Sequence, residues 1–407
     1  MTFLTTIGAF SSKAFTGNGG APVGDTPVAY TTNTDQFALI YKTDYSSPTI
    51  VGCFYGSIFY IDSDDLTQSW YAASLATLNL FSLKELNDGT YLSGAGLVVS
   101  GSGQSFYPTF AKQGIWEYRY AIPSVNLPGI IDFTYNSTEL IGASGGYIIT
   151  ANRNDGTLIS VKSGATITHF TQNFCAGFGG IGTINSTSVT LRSLSVGAGK
   201  SISLTKMVEN SGNLYIAGRI FDSTTSNYYA FLLKVNSSFN VVYFRTRSVE
   251  PTSTVTSLAV NSSGEAYMSY TLPSESCKDI ITKFNSSGVP LWSRGLYTVA
   301  GVPTPGSLLN VNNILAKDDT NQYILVTSTN MFILRGDGSG TKFLSAGGIT
   351  FRYTNSVSAW VLPITPVFTM TIGSPTTSTL TTVSGATQTV QPVPTSPSTP
   401  DLIWVLA

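Results

Sequence analysis

The chain has 407 residues, of which 11% are charged, with Lys+Arg 21 against Asp+Glu 22 and a net charge of −1. Typical soluble domains carry about a quarter charged residues, so this surface is built from hydroxyls and amides. No segment concentrates Lys or Arg as phosphate-backbone binding requires, which argues against nucleic acid as a partner.

Residues 1–30 open with "MTFLTTIGAFSSKAF", where no basic residue precedes the apolar part and Thr5, Thr6 and Gly8 interrupt it. No standard signal peptide is expected, and synthesis in a bacterial cytoplasm follows. The longest uncharged apolar stretch, 47–61, is broken by Pro48, Gly52 and Gly56. It falls short of the roughly 20 residues that cross a bilayer, so no membrane span is expected. Cys53, Cys175 and Cys277 are far apart and in no metal-ligand spacing. They predict neither a disulfide framework nor a metal site, and read as small buried apolar side chains.

From residue 31 onward a unit recurs. "AFLLKVNSSFNVVY" at 230–243 returns as "DIITKFNSSGVPLW" at 279–292, and the strands upstream, "NLYIAGR" and "EAYMSYT", place Tyr215 and Tyr267 in matching positions. Each unit reads as an aromatic-centred strand, a polar loop, a strand ending in Lys-x-Asn, a turn, and a strand begun by an aromatic. Looser copies start near Phe37, Tyr91, Tyr147 and Tyr323, and a degenerate one near Trp360. The segments are short and alternate apolar with polar, and no stretch holds a 3.6-residue period, so they are strands. Asn154-Asp155-Gly156 and Gly336-Asp337-Gly338 read as tight hairpin turns.

A four-stranded repeat of about 40 to 50 residues is the signature of a propeller blade. The expected fold is therefore all-β, a β-propeller of about seven four-stranded blades, six of them clear, over 31–365. Residues 1–30 form either an N-terminal arm or a closing strand. Residues 366–407 hold a degenerate last blade and a Pro/Ser/Thr-rich tail, and both chain ends are able either to close the ring or to dock on neighbouring subunits.

"KFNSSGVPLW" and "KVNSSFNVVY" resemble bacterial and phage β-propeller repeats in which Asn/Asp-x-x-Gly precedes a tryptophan, a pattern shared loosely with tryptophan-docking blades. The resemblance covers two units well and four weakly, and speaks to fold only. It implies that Trp70, Trp116, Tyr243 and Trp292 pack between blades. The quinone cofactor of some tryptophan-docking propellers is not expected, because the adjacent cysteines and calcium-binding acids of that site are missing.

Residue patterns that suggest chemistry mostly have plainer readings. His169, the single histidine, lies on a strand without a Gly-x-Ser-x-Gly partner and reads as structural. "GFGGIG" at 177–182 matches the dinucleotide fingerprint in letters, but no helix follows it. Asp62, Asp64 and Asp65 lack the acid that a twelve-residue calcium loop needs at position 73, which is Ala73. Asp318 and Asp319 read likewise as a turn. Arg219, Arg245 and Arg247 cluster loosely in one unit, without the paired carboxylates of a glycosidase. Five Asn-x-Ser/Thr sequons, at Asn136, Asn185, Asn236, Asn261 and Asn285, read as turn chemistry.

No catalytic residue and no cofactor is expected. Phe106, Tyr107, Tyr228 and Tyr229, in loops rich in aromatics and amides, are the candidate ligand-binding residues, since aromatic faces stack on sugar rings. The missing export signal, the hydroxyl-rich surface and the reaching chain ends point to a bacteriophage virion protein of tail fibre, spike or baseplate. Its expected partners are other virion proteins, further copies of itself and a host-surface glycan. A surface adhesin, a cement protein and a polysaccharide hydrolase or lyase are the alternatives.

Overall fold

The computed structural model describes the backbone of the strands from Thr26 to Leu406, and side chains chiefly over 129–178, 180–247, 254–271, 280–295 and 368–389. The described residues contain strands and no helix.

The strands fall into seven sheets, and every pairing is antiparallel. The first sheet is a meander of Ala38–Lys42, Thr49–Phe54, Ser57–Asp62 and Gln68–Tyr71. Five more meanders follow, over 78–121, 132–163, 167–195, 200–249 and 255–298. The seventh sheet takes Val311–Lys317, Gln322–Thr327 and Asn330–Arg335 from late in the chain, and its fourth strand, Thr26–Tyr30, from near the start. The first strand of each sheet packs beside the first strand of the next, and that of the seventh beside that of the first. The result is a closed ring, a β-propeller.

Middle strands of these sheets are buried on both faces, because each sheet is sandwiched between two others. Glu139–Ser144 is buried from its second residue to its last, and Asn213–Asp222 is buried at Leu214 to Gly218. Such strands read as continuous apolar runs and do not alternate. One cluster, with Phe110, Tyr120, Phe133 and Leu140, joins the second and third sheets, and another, with Ile148, Ile167 and Phe170, joins the third and fourth. Further clusters join the fourth to the fifth and the fifth to the sixth.

The units counted from aromatics omit the fourth sheet. Its strands are Ile167–Phe170, Cys175–Gly177, Gly180–Ile184 and Ser188–Ser195, and its second strand, Cys-Ala-Gly, has no aromatic to mark it. "GATITHF", which reads as the end of the third unit, instead opens this sheet with His169 on its first strand. The glycines of "GFGGIG" serve close packing of backbone on backbone. A Cβ on Gly182 would lie 1.8 Å from the Thr190 carbonyl oxygen, and one on Gly177 would lie 2.2 Å from that of Thr166. The segment is two strands of a hairpin, with no helix start to hold a pyrophosphate. The degenerate unit at Trp360 and the segment 2–10 lie outside the described residues.

Residues beyond the seventh sheet run back around the perimeter as a strap. Lys342–Ala346 and Ile349–Asn355 form a hairpin on the outer strand of the sixth sheet, with Asn355 opposite Arg294. Thr371–Thr379 pairs with the outer strand of the fourth sheet, Thr381–Thr382 with that of the third, and Thr387–Gln391 with that of the second. Trp404–Leu406 lies outside Thr26–Tyr30.

In a four-stranded meander, the turns after the first and third strands emerge on one face of the ring, and the turn after the second emerges on the other. Asn136 and Asn261 follow first strands, and Asn185, Asn236 and Asn285 follow third strands. All five therefore lie on one face, called lower here. Each uses its side-chain oxygen to accept backbone N–H groups: Asn285 from Ser287 at 3.0 Å and Val289 at 2.9 Å, Asn236 from Ser238 and Asn240 at 3.0 Å, and Asn261 from Glu265 at 2.8 Å. Asn136 and Asn185 do the same. These are side-chain turn mimics.

The left-handed position of this turn is Gly264 (φ 78°) and Gly288 (φ 76°), but Phe239 (φ 62°) in the fifth sheet. Phe239 reaches the fourth sheet, with its ring 5.5 Å from Phe174 and 5.1 Å from the Arg192 guanidinium. Packing offsets a backbone cost of roughly 1–2 kcal/mol. Phe239→Ala, which keeps the strain and loses the packing, should therefore be less stable than Phe239→Gly by about 1 kcal/mol in urea unfolding. Equal stability of the two variants would remove strain from the account.

Candidate functional site

The fifth and sixth sheets carry the repeat in its clearest form, and its side chains stack in order. In the fifth, the Lys234 ammonium lies 4.9 Å from the Tyr215 ring and 5.9 Å from that of Tyr243, and the Arg245 guanidinium lies 5.4 Å from Tyr243. In the sixth, Lys283 lies over Tyr267 at 5.3 Å and Arg294 over Trp292 at 5.6 Å. Tyr243 fills the gap between the two sheets, so closely that a Cβ on Gly288 would stand 2.7 Å from its ring. Arg245 donates to the Gly288 carbonyl at 2.9 Å and the Ser287 carbonyl at 3.2 Å. Trp70 and Trp116 lie on outer strands, opposite Phe59 and Lys112, and their side chains lie outside the described residues.

The upper face of the fifth sheet is organised by the turn between Asn213–Asp222 and Asn227–Val235. Asp222 accepts the Thr224 N–H at 2.9 Å, and Ser223 donates both its N–H and its hydroxyl to the Gly199 carbonyl, at 3.0 and 2.7 Å. Ser226 takes φ 55°, so the turn is tight and held at both ends. Tyr228 stands opposite Phe221, with ring centroids 4.9 Å apart, and the Arg219 guanidinium lies 4.8 Å from the Tyr228 ring. Tyr228 is half-buried, leaving part of an aromatic surface at the rim.

Its neighbour points the other way. Successive strand residues face opposite sides, and Tyr229 turns toward the fourth sheet, where it is 9% exposed and meets Phe368 edge-on at 4.8 Å. The two tyrosines that look equivalent in the sequence thus have different surroundings. Phe106 and Tyr107 are on the strand Ser105–Lys112, opposite Val98 and Leu97, and their side chains lie outside the described residues.

His169 bridges two sheets. One ring nitrogen, Nε2, is 3.0 Å from the Thr205 carbonyl, which only accepts, so Nε2 carries a proton, while Nδ1 lies 2.9 Å from the Thr168 hydroxyl. Two carboxylates are also committed to neighbouring sheets. Asp132 accepts the Phe170 N–H at 2.7 Å, and Glu209 accepts the Thr171 hydroxyl at 2.7 Å and the Asn173 N–H at 3.0 Å. The loops of Asp64–Asp65 and Asp318–Asp319 lie outside the described residues.

Burial sets the titration of the interior. The Cys175 thiol is pushed up to about 12 by desolvation, and the phenols of Tyr120, Tyr243 and Tyr270 are raised by the same cause first. The folded state therefore holds these protons more tightly than the unfolded chain. Stability from this source is complete below the ordinary thiol value and declines as pH rises through that value toward the raised ones. Urea midpoints should be flat across neutral pH and fall above about pH 9; a midpoint unchanged up to pH 11 would contradict the burial of these groups.

Tyr229→Ala should cost about 3 kcal/mol or more, as a buried aromatic does. Tyr228→Ala, at a half-buried rim position, should cost about 1 kcal/mol or less. Paired denaturation curves check the contrast, and equal losses would refute the assignment of the two faces.

No family model matches the chain, and no curated protein matches it. Several solved structures are similar in shape. A chain of the mitotic checkpoint complex is 13% identical, covers 82% of this chain and 99% of its own, and gives a TM-score of 0.45. The extracellular domain of the hybrid two component system BT4673 from B. thetaiotaomicron is 12% identical over 78% of this chain and 41% of its own, at 0.44. Hsv2 from Kluyveromyces lactis is 8% identical over 84% and 99%, at 0.41. At these values the fold is read from the sheets themselves, and no activity is taken from the similarity.

Proposed function

We propose that this chain is a non-catalytic component of a bacteriophage virion, in a tail fibre, spike or baseplate, whose propeller presents one face to glycans of the host surface. The observation that carries the reading is the upper rim of the fifth sheet, where Tyr228 and Phe221 keep aromatic surface beside the Arg219 guanidinium. Aromatic faces with polar groups close by are suited to the apolar sides of sugar rings. The low charge, the five amide-bearing turns on the lower face and the exposed Thr/Ser strand 371–379 support a surface built to be solvated without ions. Each such contact is weak, and repetition over many copies raises the effective concentration into useful avidity. The host, the number of copies and the receptor's identity are not part of the proposal.

A cementing role is the second reading, and one observation favours it. The outer strand of the fifth sheet, Val241–Val249, has no strap strand paired to it, and Val241 and Val242 are exposed at its start. An uncovered edge of this kind accepts another chain's strand.

The deciding experiment is a map of purified particles, or immunogold labelling with an antibody to this chain. Placement at a tail tip with the 223–226 turns outward is expected. Absence from particles would overturn the virion assignment, and burial of that face between other subunits would replace recognition by cementing.

A further inference from the structure

The fifth sheet carries Arg219, Arg245 and Arg247, and they are not equivalent. Arg245 is spent on the two carbonyls of the neighbouring turn. Arg247 donates one N–H to the Tyr270 hydroxyl at 2.7 Å and lies 5.5 Å from that ring. Arg219 makes no hydrogen bond and no ion pair among the described residues, and is held by its stack on Tyr228 alone.

Their registry brings two of them together. Ala230 is directly opposite Arg219 on one side and Arg247 on the other, so the three form one row across adjacent strands. Directly opposed residues share a face, and the alternation along each strand puts Phe221 and Tyr228 on that face as well. Two guanidinium groups thus flank a methyl side chain at the upper end of the sheet, with aromatic walls at Tyr228 and Tyr270. A guanidinium stacked on an aromatic ring is fixed in plane while its N–H fork remains available, the arrangement that recognises carboxylate and phosphate. Two like charges so placed lower each other's stability unless an anion joins them.

We propose that Arg219 and Arg247, across Ala230 and beside Tyr228, bind the anionic group of an acidic saccharide. The proposal rests on the glycan-recognition reading above and names its ligand class: a sugar bearing a carboxylate or a phosphate, its charge on the Arg219 fork and its ring against the Phe221–Tyr228 wall.

The test is calorimetric titration of the full chain with hyaluronan oligosaccharides, which carry carboxylates, with glycerol-phosphate teichoic acid, and with neutral dextran oligosaccharides. One or both anionic probes should bind, more weakly as salt is raised, and the probe that binds identifies the anion. Arg219→Gln should weaken that binding about tenfold or more, and Arg219→Lys should recover part of it, since a point charge replaces a fork. Arg153→Gln removes the same charge on the lower face, where Arg153 donates to the Asn136 carbonyl, and should change nothing. The thermal midpoint of Arg219→Gln should match that of the unaltered chain, because no hydrogen bond is lost. Anionic binding unaffected by Arg219→Gln would overturn the proposal. So would dextran binding without anionic binding, which would leave glycan recognition standing. Binding of none of the three would overturn the inference, and particle labelling would still decide the virion assignment separately.

Discussion

A four-stranded meander leaves its last strand with a row of unpaired N–H and C=O groups along one side, and such a row pairs with whatever strand it meets. Ring formation packs the faces of the sheets but leaves these outer edges facing the perimeter. Here the chain supplies its own cover. The strap from Lys342 to Gln391 adds strands to the sixth, fourth, third and second sheets in turn, and Trp404–Leu406 adds one to the seventh. The seventh sheet also borrows Thr26–Tyr30 to complete itself, so that ring closure and edge cover both depend on pairings between distant parts of the chain. Long-range antiparallel pairing of this kind forms slowly, because loop-closure entropy must be met before the contacts repay it.

Between the sheets, the same repeat that makes each turn also makes each joint. The Asn-x-x-Gly turn of one sheet offers carbonyls that Arg245 of the previous sheet collects, and the small glycine lets Tyr243 approach. Arg and Lys side chains lie along aromatic rings and keep charge near the surface while their stems are buried, which suits a molecule with so few ionic groups. Lys283 is the deepest of them and is paired with Glu265 at 2.9 Å. A rigid lower face, stitched by amides, leaves the upper turns as the place where side chains remain available to a ligand.

Part of the candidate site was legible in the sequence. Tyr228 and Tyr229 stood out as aromatics beside a polar loop, but two adjacent strand residues face opposite sides, and only the position of Phe368, about 140 residues away in the chain, shows which of them is covered. The cluster of Arg219, Arg245 and Arg247 was visible as letters. That one of them is free follows from the turn at 285–289 meeting Arg245 and from Tyr270 meeting Arg247. Nothing local to the arginines encodes either contact.

The sequence by itself determined the material of the fold: short strands, tight Asn and Gly turns, and a period near fifty that makes a propeller. It did so because turns and strand alternation are local, set by backbone sterics and by side chains a few residues apart. The fourth sheet escaped it, because short strands rich in glycine carry no aromatic marker, and their glycines answer to carbonyls on other strands. Tertiary structure alone decided that residues 371–391 lie on the edges of three successive sheets, and that Thr26–Tyr30 meets Asn330–Arg335. Strand edges are chemically alike, so the choice among them is made by where the closed ring brings the chain, which no short stretch of residues can specify.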